Sequence, residues 1–245
     1  MFLGGTSLVY LSIVITFITK NYKPLRAQKK RHLIYWKSNW NIGKWLLGSN
    51  LLFYISSNIY PWFLLYLSSK ENIAIFAVLM STAGLINPIL IALSSYLLPI
   101  FVKANSSYSK VRLLTNKWQF VFGTMAIILI ITGFLLGQKI ILLLFSKAYN
   151  NLGLLVVYPF IYQAINVFFQ PNKIALNAIK RTDVNFYVLI PRSCITLVFG
   201  YFLVLNFGLS GVFYTMLIEN IVYQTIYFIT YRKIIQSRNS VPPVK

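Results

Sequence analysis

The chain has 245 residues, 58% of them apolar and only 11% charged, with a mean hydropathy of +0.68. Soluble domains carry roughly 25% charged residues, so this composition excludes a disordered tail, a disulfide scaffold and the ordinary soluble enzyme, and points to a protein dissolved in lipid. Its 23 Lys and Arg against 3 Asp and Glu would suggest nucleic acid in a soluble chain. Here the basic residues stand between apolar runs, so membrane topology accounts for them and no nucleic-acid partner is expected.

Seven apolar runs follow in chain order: 2–19, 45–67, 73–102, 119–137, 152–172, 184–205 and 211–231. Each is near or above the roughly 20 residues a helix needs to cross a bilayer core. None alternates polar with apolar as barrel strands do. The expected fold is an all-α polytopic membrane bundle of about seven transmembrane helices. Run 73–102 holds Pro88 and Pro99, which predicts a kink or a projecting end. The short link NFGLS, 206–210, predicts that the last two helices form a hairpin.

The basic residues cluster in alternate loops. Segments 20–44, 103–118, 173–183 and the tail from Arg232 hold nineteen of them, whereas the intervening loops hold Lys70, Lys139 and Lys147. The positive-inside rule puts the richer side in the cytoplasm, with Met1 outside and the C-terminus inside a plasma (inner) membrane. Anionic lipid headgroups are natural partners for such a surface. In segment 32–45, Tyr35, Trp36, Trp40 and Trp45 mix with Lys37 and Lys44, the pattern of an interfacial belt at the headgroups.

Two charges lie inside the runs, Arg192 and Glu219. A charge at a helix centre costs roughly 2.5–3.5 kcal/mol and needs a polar cavity or a partner. At 1.5 Å per residue Arg192 lies about 10 Å and Glu219 about 18 Å from the cytoplasmic end. They are a structural ion pair or a cavity cation with its acid, and Pro191 loosens the helix beside them. Uncharged polar residues gather next to prolines as well. Asn58 and Tyr60 precede Pro61; Gln163, Asn166 and Gln170 follow Pro159 at spacing i, i+3, i+7, one face of a helix. Such a stripe packs against another helix or lines a cavity. Asn58, Tyr60, Gln163, Asn166, Arg192 and Glu219 are therefore the candidate cavity residues.

Catalysis has no visible seat. There is no paired carboxylate, Gly-rich phosphate loop or GxSxG motif. Cys194 and His32, the single residues of their kinds, are too far apart in sequence to suggest a zinc site or a nucleophile–base pair. No enzyme activity, cofactor or metal is expected.

Four stretches resemble polysaccharide-lipid flippases, the Wzx-type members of the MOP superfamily. GKWLLGSNLLFYISSNIYPWFLLYLSSKENIAIFAVLMSTAG (43–84) looks like the start of their C-terminal lobe. LLPIFVKA (97–104), IILLLFSKAYNNLGLL (140–155) and NFGLSGVFYTMLIEN (206–220) are similar, in the same order, to segments further along that lobe. The resemblance implies two six-helix lobes related by an axis along the membrane normal. Residues 1–19 would end the first lobe, 20–44 would be a basic cytoplasmic linker, 45–231 the second lobe and 232–245 a cytoplasmic tail. A fragment of a longer transporter is thus expected. The implied activity is passage of an undecaprenyl-pyrophosphate-linked oligosaccharide across the membrane by alternating access, for surface polysaccharide such as O-antigen. Its partners would be that lipid-linked sugar, a missing N-terminal lobe and a polysaccharide polymerase. Where many relatives carry a charge in the helix at 45–67, this chain has Tyr60 and Pro61, which departs from cation coupling there. A MATE-like ion-coupled exporter, a nonfunctional truncated transporter and a seven-helix receptor stay open as alternatives.

Overall fold

The structure is a computed structural model and describes residues 29–105 and 107–239. The run 2–19, linker residues 20–28 and the end of the tail lie outside the described residues. The chain divides into two compact units, 1–41 and 42–245. In the first, Trp36 and Trp40 stack with ring centroids 6.2 Å apart.

Among the described residues every regular element is helical: α1 (Lys29–Leu67), α2 (Lys70–Ala83), α3 (Asn87–Ala104), α4 (Tyr108–Leu135), α5 (Gly137–Leu144), α6 (Val157–Phe168), α7 (Gln170–Ala178) and α8 (Asp183–Asn239). Four helical stretches are long and apolar enough to cross a membrane: Lys70–Ala104, Tyr108–Leu135, Gly153–Ala178 and Asp183–Ile235. The expected count of seven is not confirmed. Helix α1 covers the run 45–67 but is not among the four, because Asn50, Ser56, Ser57, Asn58 and Tyr60 dilute its apolar character. The two last runs form the fourth stretch, which doubles back at Gly208.

That turn shows how sequence sets shape here. Gly208 has φ +54° and ψ −127°, a region that a side chain makes costly. Three residues on, a Cβ at Gly211 would lie 2.0 Å from the Leu203 carbonyl oxygen, so the two arms of α8 meet where no side chain fits. The other breaks have local causes too. Ser69 caps α2, its Oγ accepting from the Asn72 N–H at 3.2 Å. The run with Pro88 tightens there: a 3₁₀ turn, Gly84–Ile86, joins α2 to α3, and Pro88 occupies the first turn of α3, where its missing N–H costs nothing. Pro171 does the same for α7. The link from α7 to α8 is closed by Arg181, whose Nε and Nη2 donate to the Asp183 carboxylate at 2.9 Å each. That hydrogen bonding raises the Arg181 pKa above its already high value.

Within residues 42–245 the core has two parts. One gathers Leu97 and Phe101 of α3, Phe122 of α4, Val167 of α6 and Tyr227 of α8. The other gathers Tyr60 and Leu64 of α1, Leu79 of α2, Ile141 of α5 and Phe213 of α8. Helix α4 lies tight on α6, because Gly133 leaves room for Phe160. Its opposite face exposes Leu113, Phe120, Ile127, Ile131, Phe134 and Leu135. An apolar exterior of this kind suits lipid, not water. At the start of the unit Trp45 packs against Phe186 and Tyr187, centroids 5.5 and 5.2 Å away, with the Lys44 ammonium 5.3 Å from its ring.

A charged cleft between α1, α3 and α8

The polar residues of separate helices converge on one cleft of about 920 Å³, walled by α1, α2, α3, α6, α7 and α8. One wall holds an ion pair between the two arms of α8, whose arginine faces the cleft. Arg192 Nη2 and Nε donate to Glu219 Oε1 at 2.8 and 3.2 Å. Arg192 is 6% exposed and Glu219 wholly buried. The hairpin at Gly208 brings the two depths together, and the helix faces match.

Each end of the pair is held further. Tyr60 Oη of α1 donates to Glu219 Oε2 at 2.9 Å. The Thr196 hydroxyl also contacts Oε2, and lies 3.0 Å from the Arg192 carbonyl. Arg192 Nη2 donates to Tyr162 Oη of α6 at 3.1 Å. The guanidinium carbon sits 5.4 Å from the Phe53 ring centroid and 5.5 Å from that of Tyr223, so two aromatic faces replace part of its lost hydration. A buried carboxylate and a buried guanidinium are tolerable only when paired and hydrogen-bonded in this way. Among the described residues Arg192 Nη1 makes no hydrogen bond, and Arg192 lines the cleft whereas Glu219 lies behind it.

The amides span helices. Gln163 donates to Asn87 Oδ1 at 3.0 Å, and seven residues on Gln170 donates to Ser94 Oγ at 2.9 Å, so one face of the α6–α7 stretch is tied to α3 twice. Asn166 accepts from Gln224 at 2.8 Å, and Asn220 donates to the Tyr162 carbonyl at 3.0 Å. The stripe read from the sequence therefore packs between helices and lines the cleft at once. Asn58 is exposed at the cleft wall and donates to the Tyr54 carbonyl at 2.8 Å. Pro61 and Pro191 both lie inside helices, and Pro159 in the first turns of α6.

Lys173 corrects the sequence reading. Counted there with the loop 173–183, it instead belongs to α7, within the apolar stretch Gly153–Ala178, and lines the cleft. Its ammonium lies 5.1 Å from the Tyr223 ring that also faces Arg192. Gln170, Asn172 and Lys173 end the apolar run in the sequence, yet Ile174, Ala175 and Leu176 follow and the helix continues to Ala178. Thr196, Asn220 and Gln224 were missed as well. Asn220 and Gln224 are four apart on one helix face, a signal that the same spacing rule detects. The wall thus brings two basic side chains, Arg192 and Lys173, among amides and hydroxyls, with Glu219 behind Arg192. Among the described residues no group of His, Cys, Asp and Glu could hold a metal ion. Comparison with known proteins returned no match: no family model, no curated protein and no solved structure aligns with this chain.

Proposed function

We propose that this cleft receives the pyrophosphate and first sugars of a polyprenyl-linked oligosaccharide and takes part in carrying it across the plasma membrane by alternating access, for surface-polysaccharide assembly. The observation that carries the proposal is the pair of basic side chains, Arg192 and Lys173, in a cleft lined by no carboxylate, with Glu219 behind it holding Arg192. A pyrophosphate is dianionic or more and needs cations and donors. Sugars need amide and hydroxyl partners, which Asn58, Gln163 and Asn166 supply. The volume lies within the roughly 300–1,000 Å³ of small-molecule sites, room for a headgroup with its polyprenyl tail left in lipid. Glu219 held by Arg192, Tyr60 and Thr196 is a poor open acid for a cation exporter, which favours the anionic cargo. In this reading the basic loops face the cytoplasm, and a first lobe and a polymerase act with the chain.

The test uses the full chain in detergent, titrated with undecaprenyl-pyrophosphate-N-acetylglucosamine and with uncharged undecaprenol, and read by tryptophan fluorescence. The charged probe binds and the alcohol does not. Lys173→Gln leaves the ion pair intact and weakens binding about tenfold, or about 1.4 kcal/mol. Equal binding of both probes, or an unchanged affinity in Lys173→Gln, refutes the proposal.

A further inference from the structure

A second, smaller cleft of about 390 Å³ lies between α4, α7 and the second arm of α8 and shares no lining residue with the first. Arg112 and Arg232 stand on its rim, both exposed. Neither is neutralised: among the described residues the ion pairs are Arg181–Asp183 and Arg192–Glu219. The Arg232 guanidinium carbon sits 4.5 Å from the Phe228 ring centroid, within reach of a cation–π contact. Deeper in, one residue of the lining holds an unpartnered donor. Asn172 is 1% exposed and its Nδ2 has no hydrogen-bond partner; Tyr231, 5% exposed, stands beside it. Buried donors are rarely left unpaired, because each costs about 1–3 kcal/mol. Phe168, Phe169, Phe228 and Ile235 make one part of the wall apolar, beside Asn116 and Gln119.

We infer that this cleft is a binding site for a phosphate group presented by an anionic phospholipid headgroup. Two uncompensated guanidinium groups supply the charge. The unpartnered Asn172 amide supplies a further donor for the phosphate oxygens. The aromatic wall takes the first carbons of the glycerol and acyl chains, which a free phosphate lacks. Its two arginines come from the basic segment 103–118 and from the start of the basic run at Arg232. A zwitterionic headgroup brings its own cation against Arg112 and Arg232, so an anionic one is preferred.

The full chain in detergent is titrated separately with phosphatidylglycerol, phosphatidylcholine and inorganic phosphate, and bound lipid is counted by native mass spectrometry. Wild type holds phosphatidylglycerol at least tenfold more tightly than phosphatidylcholine, and millimolar inorganic phosphate does not displace it. Arg112→Gln with Arg232→Gln, both at exposed positions that leave folding intact, removes that preference; Lys173→Gln in the other cleft keeps it. An equal preference in wild type and the double variant overturns the site. Displacement of phosphatidylglycerol by inorganic phosphate overturns the lipid as its source.

Discussion

Replacing Glu219 by Gln isolates what the buried pair contributes. The change keeps size and leaves an amide oxygen for the Tyr60 hydroxyl, 2.9 Å from Oε2 in the native chain. It removes the charge that Arg192 faces at 2.8 Å. Arg192 is 6% exposed and reaches water only through the cleft it lines, so it regains little of its hydration shell. Removing one partner of a buried pair costs about 3–5 kcal/mol, because the other charge is left buried and uncompensated. The faces of Phe53 and Tyr223 remain, each with a cation–π attraction of about 0.5–2 kcal/mol, so the lower end, about 3 kcal/mol, is expected. Arg192→Met combined with Glu219→Gln removes both charges and recovers most of that loss, since well-packed neutral side chains often replace a buried pair at little cost. The assay is unfolding in mixed micelles by added SDS, followed by tryptophan fluorescence. A Glu219→Gln variant within about 0.5 kcal/mol of wild type, the range of ordinary surface substitutions, refutes the reasoning. So does a double variant less stable than the single one.

Gly208→Val forces a β-branched residue into φ +54°; a loss of about 1–3 kcal/mol is expected in the same unfolding assay, and an unchanged midpoint means the turn takes another form. The orientation in our proposal expects a reporter fused after Lys70 to read as exported and one fused after Lys110 as cytoplasmic. The reverse pattern in whole cells discards that orientation.

Helices were legible because the signal for them is local. Apolar runs, the irregularity at Pro88 and the short link NFGLS each act within a few residues, so a disturbance in run 73–102 and the reversal near Gly208 were readable from the string of residues; the helix start at Pro171 was not read. The polar face of Gln163, Asn166 and Gln170 was legible for the same reason, being a matter of spacing on one helix. Partnership was not. Whether Arg192 meets Glu219, and that Tyr60 of α1 and Thr196 complete the carboxylate's shell, depends on how each helix is rotated about its axis, which many weak contacts with its neighbours decide together. Lys173 shows the limit most plainly. A hydropathy average ends the apolar run one residue before it and assigns it to water, yet the helix continues, and packing of α7 against α8 carries its ammonium to the ring of Tyr223. Local composition determines that a segment is a helix and that lipid surrounds it; only the packing of helices far apart in sequence determines which of their charges share a cleft.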